Sequence, residues 1–439
     1  VRKQNSKKGR PRKVIRQGKA SLSFTGKAVT SHAGMALVSR ALDYFNVGND
    51  LKKFTTDLDA DKHHKMNRLL EQLITLRMLG GDAVSDTALL NDPALGALFD
   101  WDTIAHPSTF GRRLGKMRWI HNLGLERIVT GLSDRVAKTG PRLVAIDSTV
   151  ATVFGEQIEG AERGYNPHKP GRDSYHPILA VDVATRSVVD GYLRPGSCAS
   201  GHGLDDFIRK LIAESKHPVD QTVFRLDKGL TAGAVLDTIE GFNAGYVAKV
   251  KLTANVVGMI SKIKNWRAFG KGHFAANIYC QLDGWERPRR MAVIERNLPA
   301  EEQPAQLPLF EMMDGRYEVV VTNLHLNAEN IWRLYNRGTV VEQVIDELKN
   351  DFAATGVRTN SFWANDALFL TGLIAYNLLN CIRRLTLPKS LKTARIKRIG
   401  LLLLHLPANV IRGSRQLWIK IRRDHPMRLI FYRAMATLQ

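Results

Sequence analysis

The chain has 439 residues, 44% of them hydrophobic, enough for two or three domains around a sizeable core. Sixty-four lysines and arginines stand against 42 aspartates and glutamates, a formal net charge of +22. A chain this basic attracts a polyanion, with nucleic acid the commonest and an anionic membrane surface the rival. No apolar run of signal-peptide type follows the basic N-terminus. The stretch from Ala367 to Ile382 is broken by Tyr376, Asn377 and Asn380, so it reads as a buried helix and not as a membrane span. Cys198, Cys280 and Cys381 lie far apart, which excludes a disulfide framework or a zinc motif and suits a reducing cytoplasm.

Residues 1–28 form a basic arm with no acidic residue, predicted to be disordered when free. Within it, Lys7-Lys8-Gly9-Arg10-Pro11-Arg12-Lys13 resembles an AT-hook, which slides arginine into a narrow A·T-rich minor groove. The alternative is a polybasic arm in which Lys8, Arg10 and Arg12 grip phosphates. Both readings make nucleic acid the partner.

Residues 29–138 are predicted to form a helical N-terminal, DNA-binding domain. Met35, Leu37, Val38 and Leu42 recur at helical spacing, as do Leu69, Leu70, Leu73 and Leu76, and Ser108 stands where a cap would open a helix. At Arg142 the pattern changes. Leu143–Ile146 is an apolar run of strand length ending on Asp147, followed by strand candidates at 175–182 and 187–193. A helix at 202–212, a strand at 222–226 ending on Asp227, a helix at 231–239 and a strand at 245–250 complete the set. This order, strand-strand-strand-helix-strand-helix-strand, predicts an α/β core of ribonuclease-H-like topology, a mixed sheet flanked by helices, over 139–251 and 323–385. Residues 252–322 carry three further strand candidates and read as a β-rich insertion. Trp266, Phe269 and Trp285 within it fit either a packed core or a surface that stacks an unpaired base. Residues 386–439 form a basic C-terminal region.

Three acids stand where chemistry needs them. Asp147 and Asp227 each end an apolar strand, which places both at the carboxyl edge of a sheet. Adjacent carboxylates there repel unless divalent cations lie between them. Hard oxygen ligands suit two Mg²⁺ ions, with Mn²⁺ as substitute. Glu342 lies at the margin of a helix face made by Val341, Val344, Ile345 and Leu348, and Lys349 follows two turns later along almost the same line. Laid across the sheet edge, this helix offers Glu342 to a metal and Lys349 to a phosphate. A competing reading makes Thr339 and Glu342 a capping box. The loop Tyr165 to Arg172 carries His168 and Lys169, placed either to reach a DNA end or to serve as a plain polar loop.

These stretches resemble the insertion-sequence transposases of the DDE type, in the branch with a β-rich insertion and a Tyr-Arg-Glu-Lys signature. The resemblance rests on Ala145-Ile146-Asp147-Ser148-Thr149, Leu193-Arg194-Pro195-Gly196-Ser197, Phe224-Arg225-Leu226-Asp227-Lys228-Gly229 and, most specifically, Tyr335 to Lys349. It implies that Asp147, Asp227 and Glu342 bind the catalytic metals and that Tyr335, Arg337 and Lys349 contact DNA near the cleaved strand. It further implies a bacterial, cytoplasmic enzyme that cuts double-stranded DNA at the ends of an element and joins them to a target, as a homodimer on DNA. The alternatives are a catalytically silent DNA-binding relative and a nuclease without strand transfer. Two departures stand out. Arg337 follows Tyr335 by two positions where the commoner signature spaces them by three, and Lys228-Gly229 replaces the residues usual after the second Asp.

Overall fold

The computed structural model describes residues 15–17, 20–22, 28–59, 64–167, 169–199, 201–270, 272–296, 316–356, 359–413 and 416–439. The AT-hook-like segment with Lys8, Arg10 and Arg12, and His168 of the polar loop, lie outside these residues.

A nine-stranded mixed sheet organises the chain. Its strands are β1 (Arg142–Ser148), β2 (Ile178–Asp182), β3 (Val188–Tyr192), β4 (Thr222–Leu226) and β5 (Gly245–Lys249). Four more follow: β6 (Arg267–Phe269), β7 (His273–Cys280), β8 (Arg289–Arg296) and β9 (Tyr317–Thr322). Their spatial order is β6-β7-β8-β9-β5-β4-β1-β2-β3. β4 runs parallel to β1 and to β5, and the other pairings are antiparallel. The stretch read as a β-rich insertion therefore builds no sheet of its own. β9 pairs with β5, and β8, β7 and β6 add successively at that side. A free edge strand is completed by any strand that reaches it, and the sequence pattern does not reveal which edge that will be.

Helices cover both faces. Those preceding the sheet are α1 (Met35–Tyr44), α2 (Val47–Thr55), α3 (Met66–Met78), α4 (Leu95–Leu98), α5 (Pro107–Leu114) and α6 (Trp119–Val136). Within and after it come α7 (Leu204–Glu214), α8 (Gly233–Gly241), α9 (Ala254–Ile260), α10 (Ala328–Arg337) and α11 (Val340–Asn350). Then follow α12 (Phe362–Thr386), α13 (Ile396–Leu403) and α14 (Arg428–Thr437). Successive residues of a strand face opposite ways, so β1 and β4 sort their side chains between two cores. Val144, Ile146, Phe224 and Leu226 pack with Leu204, Phe207, Leu236 and Ile239 of α7 and α8. Ala145 faces the other way, into a core shared with α3, α6, α11 and α12.

The helix α12 shows why its sequence is apolar yet interrupted. Asn377 Nδ2 donates to Val129 O at 3.0 Å and Val188 O at 2.7 Å, while its Oδ1 accepts from Val188 N at 2.9 Å. Tyr376 Oη donates to Arg186 O and Asn380 Nδ2 to Thr185 O. The polar residues thus satisfy backbone groups of α6, of the turn before β3 and of Val188 in β3, which burial would otherwise leave unpaired. Among the described residues no helix is long and apolar enough to cross a membrane.

Two local readings change. Ser108 does not cap α5. Pro107, lacking an N–H, takes the first helical position, and the His106 ring accepts from Ser108 N at 3.3 Å. Inside the arm predicted to be disordered, Ile15–Gln17 and Ala20–Leu22 pair antiparallel. At the far end, the basic C-terminal region folds back: strands Ala408–Arg412 and Leu417–Ile421 form a hairpin, and Val29–Thr30 pairs with its first strand.

Candidate active site

The parallel pairing of β1 and β4 sets Val144 beside Phe224 and Ile146 beside Leu226. The next residue on each strand is an aspartate, so Asp147 and Asp227 stand side by side at the carboxyl edge. By strand alternation both point to the face shared with Ala145 and Arg225. The helix pair α10–α11 crosses this face, and Tyr335 of α10 donates its hydroxyl to Asp227 Oδ1 at 2.8 Å. Asp147 lines an open cleft with Ser148, Thr149, Tyr165, Pro167, His176, Asp227, Lys228 and Lys349.

Burial, then the neighbouring Asp227 charge, push the Asp147 carboxyl up to about 6, while the Ser148 N–H that it accepts at 2.7 Å pulls the other way. Glu342 adds a smaller upward push. Burial lowers the ammonium of Lys349, and Asp147 and Asp346 oppose that shift. Burial raises the Tyr335 phenol, so it stays a hydrogen-bond donor at neutral pH.

The predicted residues are not all gathered equally. Asp147, Asp227, Tyr335 and Lys349 meet at the cleft. Glu342 sits exposed in the first turn of α11, and Arg337 is exposed in the last turn of α10. Among the described residues, no group of three or more His, Cys, Asp or Glu closes tightly enough to hold a metal ion. Glu342 is not spent on capping: Thr339 at the N-cap makes no side-chain cap bond and its hydroxyl donates to Asn336 O at 3.0 Å. Lys169 is exposed on its loop, where its N–H donates to Asn166 Oδ1 at 3.0 Å. The aromatics offered for base stacking are structural. Trp285 is buried with its indole donating to Thr231 O, and Trp266 and Phe269 pack on the sheet's two faces.

Arg225, two positions before Asp227, was not singled out from sequence. It is 2% exposed, with Nη2 3.7 Å from Asp227 Oδ1 and its guanidinium 4.5 Å from the centroid of the Tyr335 ring. Its Nε and Nη1 have no hydrogen-bond partner. The position three after Tyr335 is Gly338, where a Cβ would lie 2.7 Å from Arg225 Cγ and 2.8 Å from Cδ. The Arg225 stem thus runs through the space a side chain at 338 would need. The signal in the sequence was a lone cation inside an apolar strand, Thr222-Val223-Phe224-Arg225-Leu226. His176 was also missed. It is buried on the cleft wall, and its Nδ1 donates to Cys198 O at 2.8 Å, leaving Nε2 as an acceptor. Burial, with Arg194 nearby, lowers its pKa. The Pro195-Gly196 stretch has a packing reason: a Cβ on Gly196 would fall 2.1 Å from Ser174 O and 2.2 Å from Glu162 O.

The chain matches the family model of the Transposase DDE domain group 1 over residues 12–439 and belongs to that family. Comparison with curated proteins returns no match. Among solved structures, a cryo-electron-microscopy structure of a piggyBac transposase synaptic complex with hairpin DNA aligns with a TM-score of 0.46 at 10% identity, over 87% of this chain and 82% of that one.

Proposed function

We propose that the protein is a transposase enzyme that cuts double-stranded DNA at the ends of a mobile element and joins the freed 3′ ends to a target. The observation that carries this reading is the side-by-side placement of Asp147 and Asp227 on adjacent parallel strands, with α10–α11 laid across them, in a member of the DDE transposase family. The strand order β3-β2-β1-β4-β5, with β2 alone antiparallel to both neighbours, supports assigning this half of the sheet to the ribonuclease-H-like class. On this reading, 29–138 forms the helical N-terminal domain, 139–251 with 323–385 the core and 252–322 an extension of its sheet.

The donor set fits divalent cations of the Mg²⁺ or Mn²⁺ kind: two hard carboxylates, one held near pH 6 by burial and its neighbour. Such ions, when bound by Asp147, Asp227 and Glu342, supply activation of the attacking oxygen and stabilisation of the leaving oxygen in phosphodiester displacement. The remaining roles belong to the protein's own groups. Tyr335 fixes the rotamer of Asp227 through its hydroxyl. The Arg225 guanidinium, buried beside Asp227, offsets part of the charge of the pair and is the cation that occupies the signature's arginine place, in contrast to exposed Arg337. Lys349, half-buried at the cleft, is placed for a phosphate oxygen. Lys169, and Lys8, Arg10, Arg12 and His168 beyond the described residues, would contact DNA, and a homodimer would hold two element ends together.

The experiment is a joining assay. Labelled duplex carrying the element ends is incubated with an unlabelled target duplex and Mg²⁺. Joined product is expected. Cleavage without joining would reassign the protein as a nuclease, and tight binding without cleavage as a silent DNA-binding relative.

A further inference from the structure

Residues 1–28 hold ten lysines and arginines and no acid, and residues 386–439 hold twelve against a single acid, Asp424. Of the 22 net charges of the chain, 21 therefore lie in these two segments, and everything between them is balanced to within one charge. The fold joins the two. Val29 and Thr30 pair antiparallel with Asn409 and Ala408, and Val410 N donates to Ala28 O at 2.9 Å. The basic arm thus enters the body as a strand added to the C-terminal hairpin.

Alternation along that hairpin separates two faces. Ala408, Ile419 and Ile421 pack over Ala33, Leu406 and Phe431. Asn409, Ile411, Trp418 and Lys420 face outward, with Ile411 paired to Trp418 and Asn409 to Lys420. Trp418 is 55% exposed. Next to the hairpin, α14 exposes Leu429 and Tyr432, and the Arg428 guanidinium lies over the Tyr432 ring at 5.9 Å. A groove of about 650 Å³ runs between them, rimmed by Lys420, Arg422, Arg423 and Arg428.

In the balanced body, several buried cations pair with acids: Arg142 with Asp182, Lys210 with Asp190 and Glu126, Arg289 with Asp237 and Glu240. In the C-terminal segment the one acid, Asp424, is tied to Arg422. Surplus exposed cations interleaved with exposed aromatic rings match a phosphate-bearing polymer. A two-stranded ribbon, as this hairpin is beyond Asn409, has the width of a duplex major groove. We propose that the terminal hairpin and α14, joined to the root of the N-terminal arm, form a duplex-DNA-binding surface that shares no residue with the carboxylate cleft. Lys420, Arg423 and Arg428 would engage phosphates, and Trp418 and Ile411 would enter the groove. The inference rests on the reading of the protein as a DNA-acting enzyme and deepens it by assigning a grip to the terminal hairpin and α14.

The test is fluorescence anisotropy with a labelled 40-base-pair duplex, over a series of salt concentrations, on the full chain. The variants are the triple Lys420→Gln, Arg423→Gln, Arg428→Gln and the single Trp418→Ala; all four side chains are exposed, and unchanged thermal melting establishes folding. Losing three phosphate contacts should lower the slope of log affinity against log salt by roughly 2 to 3, and weaken binding about tenfold or more at moderate salt. If the triple variant does not fold, Lys420→Gln with Trp418→Ala is read in its place, with a slope change of about 1 expected. A slope identical to that of the unaltered protein would overturn the assignment while leaving the DNA reading intact. No duplex binding by the unaltered protein would sink both. Unchanged duplex binding with lost binding to phosphatidylglycerol vesicles would assign the surface to membranes and overturn the proposal.

Discussion

The carboxylate edge of the sheet and the terminal hairpin use charge in opposite ways. At the edge, ionisable groups are few and partly or fully buried: Asp147, Asp227 and Lys349 line the cleft, with Arg225 and Tyr335 buried behind Asp227. At the termini, cations are many and almost without acids, and those described in the C-terminal segment are mostly exposed. Burial multiplies the effect of each charge on its neighbours, whereas exposed charges act together, at long range, and are screened by salt. A small change at the edge should therefore alter chemistry in an all-or-none way, and one at the termini should alter affinity by increments. The two regions are expected to fail independently.

The sharpest way to break this comparison is at the aspartates. Asp147→Asn or Asp227→Asn should reduce cleavage to the level seen in EDTA while duplex binding, measured by anisotropy, stays unchanged. Residual metal-dependent cleavage in either would remove that residue from the site. Next comes Lys210, which holds Asp190 at 2.6 Å and also pairs with Glu126. Glu126 is pushed up to about 8, by burial first and then by Asp190. Glu126 thus already holds its proton at neutral pH, so Lys210→Met leaves the buried Asp190 without its cation and should cost about 3–5 kcal/mol in urea unfolding. A loss under about 1 kcal/mol would mean that Asp190 simply takes up a proton.

Arg225→Ala should slow cleavage roughly 10- to 100-fold, the effect of about 1.5–3 kcal/mol for a contact to a charged group. The more telling variant adds Gly338→Arg. Gly338 has a right-handed helical backbone, φ −71°, so a side chain there meets no backbone strain once the Arg225 stem is gone. Recovery of most of the lost rate in the double variant would confirm that a guanidinium at this place matters whichever strand supplies it. Equal defects in single and double variants would make Arg225 a packing residue.

The smallest effect is on stability. In the folded metal-free protein Asp147 holds its proton up to about 6, against 3.8 as the ordinary value. The folded state then binds more protons than the unfolded chain between those limits, so this residue lowers stability as pH rises from about 4 through 6. Asp147→Asn should accordingly raise the melting temperature at pH 7 in EDTA, with a gain of about 1–2 kcal/mol, and the gain should vanish below pH 4. A variant less stable than the parent at pH 7 would contradict the assigned burial.

Much of the site was legible because it depends on local pattern. Apolar runs ending on Asp147 and Asp227 give two strands and an edge, and the spacing of Val341, Val344, Ile345 and Leu348 gives the α11 face. What the sequence did not disclose was partner choice. Nothing in Tyr317–Thr322 says that it will lie beside Gly245–Lys249, and this pairing merges the β-rich stretch into the central sheet. The C-terminal hairpin was hidden in the same way, since its sheet needs Val29 and Thr30 from the other end of the chain. Arg225 escaped notice because its meaning comes from Gly338, more than a hundred positions away, and the arginine near the signature, Arg337, drew attention to itself. His176 became visible only when the cleft closed around it.

On the proposed reading, the acid on α11 completes the pair on the sheet, although Glu342 is exposed. The most direct measurement is metal-dependent nicking at the element boundary by the unaltered protein and by Glu342→Gln, each with Mg²⁺, Mn²⁺ or EDTA. Nicking is expected from the unaltered protein with either metal, none in EDTA, and none from Glu342→Gln under any condition. Full nicking by the folded, DNA-bound Glu342→Gln variant would contradict it.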